Sequence, residues 1–132
     1  MNDASKTIPE RLGVGEHDFR VVVGRTRIEY DSEKEAANRE KHKYSLESAV
    51  HLLEKWLFLQ SDPFGTYGPF EIGGEWRHKH LGIGEFGEVV FMVTTMRPNE
   101  VVRVISFRRA NKRERELFSA MTGYNEERSR GE

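Results

Sequence analysis

The sequence contains no cysteine and no long apolar run. Without cysteine there is no disulfide bond and no zinc site built on thiolates, and a reducing compartment is compatible. No hydrophobic stretch approaches the roughly 20 residues that a membrane-spanning helix needs. The first 16 residues also lack the apolar core of a signal peptide. We therefore expect a cytoplasmic protein whose 132 residues form one domain.

Net charge is also nearly absent, at −1, but the charges are unevenly distributed. Residues 97–118 contain seven basic and three acidic side chains, which leaves +4, so the other 110 residues carry −5. Because exposed charges are screened beyond about 8–10 Å, a basic segment keeps a local positive field in an acidic protein. This distribution predicts that residues 97–115 bind a polyanion, and RNA is the polyanion we expect.

Helix caps and apolar periodicity predict the first elements of the fold. One strand or a short hairpin is expected within residues 19–30. A helix over residues 33–42 should follow, with Asp31 or Ser32 as its cap. Ser45 then caps a second helix, which carries apolar residues at the i, i+3, i+4 spacing of a core-facing stripe.

Strand candidates dominate the second half of the chain. After a loop over residues 62–75, strands are expected at residues 76–83, 88–96 and 101–107, and their short connections predict antiparallel neighbours. A helix over residues 112–121 follows. The expected fold is α+β: a small antiparallel sheet of three to four strands, with two N-terminal helices and a C-terminal helix packed on one of its faces.

The same reading divides the chain into three parts. Residues 1–27 are expected to form an N-terminal arm or an extra strand. Residues 28–122 should form the folded domain, and residues 123–132 a polar tail.

Arginines on the predicted strands could form a phosphate site. In a simple ladder Arg77 lies opposite Thr94, and Thr94 lies opposite Arg103, so two guanidinium groups flank one hydroxyl. A one-residue bulge would bring Thr95 to that position instead. Arginine binds phosphate bidentately and stays charged at any working pH. The competing interpretation is that Arg77 and Arg103 form surface salt bridges with glutamates.

Residues 103–110 are a buried strand that ends in paired arginines just before a helix. This octet reads Arg-Val-Ile-Ser-Phe-Arg-Arg-Ala. Further residues belong to the same pattern: Tyr30-Asp31, Lys34, Asn38, Lys41-His42, Ser45, Glu47, Ala49, Arg77, Gly82, Glu114 and Arg115. In order and spacing the pattern resembles the BrnT family, over about residues 28–118. These are ribonuclease toxins of bacterial type II toxin–antitoxin modules.

The sequence departs from the family pattern at several positions. Tyr30 stands where Trp is usual, Lys43 where Gly is usual, Leu46 where Phe is usual and Phe107 where Ala is usual. The first 27 residues and the segment 63–75 look like additions. Because that segment directly precedes Arg77, it could reshape or cover a site.

The resemblance implies a RelE-like fold and a metal-independent endoribonuclease without a cofactor. Arg77 and Arg103 would stabilise the charge that develops on the phosphate. Lys41 or His42 would assist proton transfer or bind a flanking phosphate. The competing interpretation of Lys41 and His42 is a solvated helix end that places cations at the C-terminal dipole.

The resemblance also implies further RNA contacts and a partner. Arg97 and Arg108 would hold neighbouring phosphates, and Thr94 or Thr95 would lie beside the catalytic arginines. A small antitoxin, with a ribbon-helix-helix DNA-binding part, would neutralise the toxin. A homodimer or a toxin–antitoxin hetero-oligomer is therefore expected.

Other functions fit parts of the sequence. His78 and His80 point to one strand face and could supply two metal ligands, but no third ligand is evident, and we predict no metal. The main alternative function is a non-catalytic nucleic-acid-binding or protein-interaction domain that kept the toxin fold. A third is an inactive partner protein whose arginine face binds an acidic peptide.

Overall fold

The computed structural model describes residues 26–59 and 62–126. Their elements follow the order β1 (Arg27–Tyr30), α1 (Ser32–His42), α2 (Leu46–Glu54), β2 (Phe64–Ile72), β3 (Glu75–Ile83), β4 (Val89–Arg97), β5 (Val101–Arg109) and α3 (Lys112–Thr122). α2 continues into a π-helical turn, Lys55–Leu59. Residues 1–25 of the expected arm and first strand, and residues 127–132 of the expected tail, lie outside the described residues.

The first two helices begin at the caps that the sequence predicts. Asp31 caps α1 by accepting a hydrogen bond from the Glu33 N–H at 3.0 Å. Ser45 caps α2 by accepting one from the Glu47 N–H at 3.1 Å. α1 ends at Lys43, whose φ of 64° is left-handed. That conformation costs a non-glycine residue roughly 1–2 kcal/mol, which is the physical reason why glycine suits this position.

The sheet has five strands in the order β1-β5-β4-β3-β2. All neighbouring pairs are antiparallel except β1 and β5, which are parallel. The expectation of three to four antiparallel strands is therefore wrong in number and misses the parallel pair. β1 is too short to reveal its partner by periodicity, and parallel partners are joined by long crossovers that leave no turn signal in the sequence.

β2 occupies most of the segment 62–75 that was expected to be a loop. Gly73 and Gly74 form the two-residue turn into β3, and their φ angles of 60° and 82° fit the type I′ turn of a tight hairpin. Gly68 and Pro69 lie at a register shift in the β2–β3 ladder. These residues look like strand breakers in the sequence, but an edge strand tolerates a bulge and a missing N–H.

The helices pack on both faces of the sheet and not on one face as expected. Successive side chains of a strand point to opposite faces. Accordingly, Val90 and Met92 of β4 belong to the core beneath α2, whereas Phe91 packs with Phe118 of α3. The α2 core consists of Leu46, Ala49, Leu52, Leu53, Trp56, Val90, Met92, Val102, Val104 and Phe107. The result is a three-layer domain with the sheet in the middle.

α1 lies along β5 beyond the point where the short β1 ends. The buried Asn38 side chain donates from Nδ2 to the Phe107 carbonyl at 2.9 Å, and its Oδ1 accepts from the Phe107 N–H at 3.1 Å. One side chain thus makes the two hydrogen bonds that a neighbouring strand would supply. The same Nδ2 donates to the Tyr44 carbonyl at 2.8 Å, which ties the α1–α2 turn to the sheet.

Candidate functional site

Two arginines and a threonine form a lateral row across three strands. Arg77 of β3 pairs with Thr95 of β4, and Thr95 pairs with Arg103 of β5. Neighbouring strands lie about 4.8 Å apart, so the two arginine backbones are roughly 10 Å apart with the threonine between them. The arginine side chains are 23% and 34% exposed, whereas Thr95 is buried. We call Arg77, Thr95 and Arg103 the arginine row.

The middle position of the arginine row belongs to Thr95 because of the registers that the turns on either side of β4 set. Ile83 pairs with Val89 after one turn, and Arg97 pairs with Val101 before the other, so both ladders reach Thr95 without a break. The β4–β5 register shifts only beyond this point, between Val93 and Thr94, where Ile105 is the extra residue of β5. The simple ladder that placed Thr94 between the arginines is therefore wrong. Thr95, which was the open alternative, is the residue observed between the arginines, although no bulge separates it from either turn.

Thr94 lies on the opposite face of the sheet, in a buried hydrogen-bonded group. Its Oγ1 is 2.7 Å from Nε2 of His80, and Nδ1 of His80 is 2.9 Å from Oγ1 of Thr66. We call Thr66, His80 and Thr94 the buried trio. Burial, helped by the nearby His78, lowers the pKa of His80 to about 3. The imidazole is therefore neutral at neutral pH, with one nitrogen donating and the other accepting.

Each arginine of the row is paired with a glutamate. Arg103 contacts Glu29 Oε1 from Nε at 2.7 Å and from Nη2 at 2.6 Å. Arg77 contacts Glu75 from Nη2 at 3.4 Å. The salt-bridge interpretation of these arginines therefore describes their contacts in the structure. Sequence reasoning missed both acids, although the alternation of Arg27-Ile28-Glu29-Tyr30 places Glu29 on the polar face of its strand.

Glu75 is ionised more readily than an ordinary glutamate. Burial opposes its ionisation, but the nearby Thr95 hydroxyl, the hydrogen bond from Arg77 and the charges of Arg77 and Lys34 outweigh burial, so its pKa is lowered. The Thr95 hydroxyl itself donates to the Trp76 carbonyl at 2.9 Å. The influence of Lys34 shows that the first turn of α1 adds a cation close to the row. In the sequence, Lys34 is notable only as a residue of the family pattern.

Arg77 retains an unused hydrogen-bond donor. Among the residues that the structure describes, its Nε is one of the few buried side-chain atoms without a hydrogen-bond partner. A buried donor without a partner has lost its water without replacement. Because this nitrogen has almost no accessible surface, a phosphate oxygen could accept from it only after the arginine side chain moves.

Lys41 and His42 lie at the C-terminal end of α1 and line a groove beside β5. The groove has a volume of about 160 Å³ and also contacts Lys34 and the bulge residue Ile105. Ile105 is two residues from Arg103, so the groove lies next to the arginine row. Burial, with the charges of Lys41 and Arg108, lowers the pKa of His42. His42 is therefore a neutral proton acceptor at neutral pH.

The two outer arginines have different environments. Arg97 is exposed at the end of β4, two residues from Thr95 and on the same face. Arg108 forms a bidentate pair with Glu114 at 2.8 and 2.9 Å and lies 4.0 Å above the centre of the Phe91 ring. The structure thus brings Arg97 to the arginine row, whereas the charge of Arg108 is matched inside the protein beside α3.

Two negative findings concern the described part of the chain. Across residues 26–59 and 62–126, no group of three or more His, Cys, Asp or Glu side chains could hold a metal ion. In the same residues, no helix combines the length and apolar character needed to cross a membrane.

The comparison with protein families identifies the class. The family model described as "Ribonuclease toxin, BrnT, of type II toxin-antitoxin system" matches residues 30–114, which is more than half of the chain. The class is thus that of the ribonuclease toxins of type II toxin–antitoxin systems. The protein belongs to the BrnT family, and the resemblance seen in the sequence is confirmed.

Comparison with solved structures adds a relative of known structure. The 1.1 Å crystal structure of the Brucella abortus ribonuclease toxin BrnT matches with a TM-score of 0.47 and 21% identity. The match covers 66% of this chain and 99% of that one. The comparison with curated proteins found no match.

Proposed function

We propose that the protein is a metal-independent endoribonuclease that cleaves RNA at the arginine row and inhibits growth until an antitoxin neutralises it. The observation that carries the proposal is the lateral pairing of Arg77, Thr95 and Arg103 in a chain of the BrnT family. Because RNA is the proposed substrate, we expect the toxin to act in the cytoplasm.

RNA supplies its own nucleophile for this reaction. The 2′-oxygen forms a bond to the adjacent phosphorus, and the bond from phosphorus to the 5′-oxygen breaks. The 2′-hydroxyl proton passes to a base, and the 5′-oxygen takes up a proton as it leaves. The products carry a 2′,3′-cyclic phosphate and a 5′-hydroxyl. The protein needs only to orient the chain, stabilise negative charge and move two protons.

Arg77 and Arg103 are the proposed charge-stabilising residues. Guanidinium groups stay protonated and bind phosphate oxygens in pairs. Their side chains start roughly 10 Å apart on the same face and are long enough to converge on one phosphate. Arg97 is the proposed ligand of a neighbouring phosphate. Arg108 is a further proposed phosphate ligand, because its side chain is 26% exposed and its pairing with Glu114 resembles that of Arg103 with Glu29. Thr94 is buried on the opposite face of the sheet, so we do not propose it as an RNA ligand.

His42 and Lys41 are the proposed proton-transfer residues. A lowered pKa keeps His42 neutral at neutral pH, so it can accept the 2′-hydroxyl proton. Lys41 can donate a proton to the leaving oxygen or bind a flanking phosphate. The groove that both residues line also includes Ile105, which is two residues from Arg103 in β5.

The glutamates beside the row do not prevent phosphate binding. Glu29 and Arg103 are both about one third exposed, and ion pairs at such positions contribute little net stability because water screens them. A phosphate can therefore exchange with the carboxylate.

The test is cleavage of RNA by the purified protein in EDTA, together with growth arrest on expression without a partner. Removing a single charge-stabilising donor typically costs 100- to 1,000-fold in rate. We therefore expect Arg77→Ala and Arg103→Ala each to lose about that much cleavage. Arg113→Ala is the matched control, because Arg113 is an exposed residue of α3.

Two results would contradict the proposal in different ways. Full cleavage by both Arg77→Ala and Arg103→Ala would show that the site is elsewhere. A wild type that neither cleaves RNA nor arrests growth would remove the ribonuclease function.

The second candidate function is RNA binding without catalysis. The pairing of both row arginines with glutamates favours it, since such pairs are also found on purely structural surfaces. A binder would retard RNA at low salt, release it steeply as salt rises and leave it uncut.

For the partner, we propose an antitoxin with a ribbon-helix-helix DNA-binding part that covers the arginine row. An acidic or apolar segment bound there would exclude RNA. Co-purification with the product of the neighbouring gene, followed by mass measurement, would show whether a hetero-oligomer or a homodimer forms. A complex that leaves Arg77 and Arg103 accessible would contradict the proposed contact.

A further inference from the structure

The aromatic ring of Phe70 extends the arginine row by one strand. Phe70 of β2 pairs directly with Arg77 of β3, so both side chains point to the same face. The ring is 39% exposed, although it lies in a strand. We propose that Phe70 is a stacking platform for a base of single-stranded RNA whose phosphate binds the arginine row. This inference rests on the proposed function.

The bulge in β2 is what turns Phe70 toward the arginines. The ladder pairs Tyr67 with Lys79, and an unbroken register would then place Pro69 opposite Arg77. The register shift between Tyr67 and Phe70 brings Phe70 to that position instead. Without the shift Phe70 would face the other side of the sheet, because a change of one residue reverses the side chain.

The neighbours of Phe70 hold the ring in place and add positive charge. The Lys79 ammonium lies 4.5 Å from the ring centre, and Tyr67 meets the ring edge-on at 6.0 Å. Gly68 packs so closely that a Cβ there would lie 3.2 Å from the ring. The ring is therefore supported from within the hairpin while part of its surface remains open to solvent.

A nucleotide fits this combination better than an apolar partner does. Proteins that bind single-stranded nucleic acid combine aromatic rings, on which bases stack, with cations that track the phosphates. Here one exposed ring, the arginine row and Lys79 occupy neighbouring strands of one face. An apolar protein segment would have to cover Arg77 and Lys79 as well as the ring, and charged groups are depleted at the centre of such interfaces.

The test is the affinity for a short single-stranded RNA that is methylated at every 2′-oxygen, which binds but cannot be cleaved by the proposed chemistry. Base stacking on an aromatic side chain corresponds to roughly 5- to 150-fold in affinity. We expect Phe70→Ala and Phe70→Leu to weaken binding about tenfold or more, and Phe70→Trp to retain it. Phe86→Ala is the matched control, because Phe86 is 78% exposed at the β3–β4 turn.

The salt dependence separates stacking from charge. Stacking involves no ion pair, so Phe70→Ala should shift the binding curve without changing the slope of log affinity against log salt. Arg77→Ala should reduce that slope by about 0.7, the value of one phosphate contact on a single strand. Thermal unfolding of each variant checks that the hairpin is intact.

The outcomes distinguish this inference from the proposed function. If Phe70→Leu binds the methylated RNA like the wild type, the stacking platform is wrong, even when the wild type cleaves ordinary RNA. If Phe70→Ala weakens only antitoxin binding, the ring is a protein contact and the inference is also wrong. If Phe70→Leu loses affinity and Phe70→Trp keeps it while no ordinary RNA is cut, the platform stands and the ribonuclease proposal fails.

Discussion

The buried trio and the arginine row lie on opposite faces of the same strands, and adjacent residues belong to each. Thr94 hydrogen-bonds to His80 beneath α2 and the π-helical turn, whereas Thr95 lies between Arg77 and Arg103 on the open part of the other face. Both groups are polar, and both include a buried threonine. Only the arginine row is charged.

The difference shows how burial selects the polar groups that a sheet face can carry. Histidine can lose its proton, so burial leaves His80 neutral and fully hydrogen-bonded inside the protein. Arginine cannot lose its charge, so Arg77 and Arg103 require carboxylates and partial exposure. A neutral group can be enclosed for stability, whereas a permanently charged group stays available to a ligand.

Acid should break the buried trio first and with the largest effect. The pKa of His80 is about 3 in the folded protein and near 6.5 when unfolded, so the stability it contributes is present above pH 6.5 and lost as the pH falls toward 3. Each pH unit in that window should remove up to about 1.4 kcal/mol. Urea unfolding between pH 7 and pH 4 measures the loss.

His80→Gln provides the control for this prediction. It keeps a polar side chain that can contact both threonines but does not titrate, so the loss of stability between pH 6.5 and pH 5 should be smaller. His42, whose pKa is also lowered, contributes with the same sign. Glu75, Glu114 and Glu126 have lowered pKa values and act only near and below pH 4.5. An equal pH dependence in His80→Gln would contradict the assignment.

A pair of threonine substitutions should separate the two faces. Thr94→Val removes the hydrogen bond between the Thr94 hydroxyl and Nε2 of His80 and should lower the free energy of unfolding by about 1–3 kcal/mol, with cleavage at 25 °C unchanged. Thr95→Val removes the hydroxyl that donates to the Trp76 carbonyl, beside Arg77 in β3, so cleavage should fall about tenfold. Unfolding and cleavage measured on both variants give the comparison. If cleavage fell in Thr94→Val and not in Thr95→Val, the assignment of the two faces would be wrong.

The smallest expected effect concerns the glutamates that pair with the arginine row. Glu29→Gln removes a carboxylate that competes with phosphate for Arg103, so affinity for single-stranded RNA should rise several-fold at low salt. The slope against log salt should steepen by about 0.7. Glu116→Gln makes the same charge change on an exposed part of α3 and should have little effect. Weaker RNA binding by Glu29→Gln would instead make Glu29 an orienting residue.

Local signals predicted the helices and the three central strands well. The caps Asp31 and Ser45 are both observed, and β3, β4 and β5 lie within two residues of their predicted bounds. Caps and alternation depend on neighbouring residues, so the sequence displays them directly.

Features that depend on distant partners could not be predicted. β2 was hidden because its glycines and proline function in a turn and a bulge that only pairing with β3 defines. The choice between Thr94 and Thr95 depended on the registers set by the β3–β4 and β4–β5 turns, which alternation alone does not fix. Glu29 meets Arg103 through a parallel pairing across 74 positions of sequence. The arginines were visible in the sequence, whereas their partners required the fold.

Asn38 also affects how the protein behaves at high concentration. A bare strand edge is a template on which another chain can add a strand, and many such additions end in aggregates. β1 covers only part of the outer edge of β5, and the Asn38 amide occupies the backbone groups of Phe107 beyond it. On this side of the domain, a single amide therefore protects the backbone groups of Phe107 against self-association.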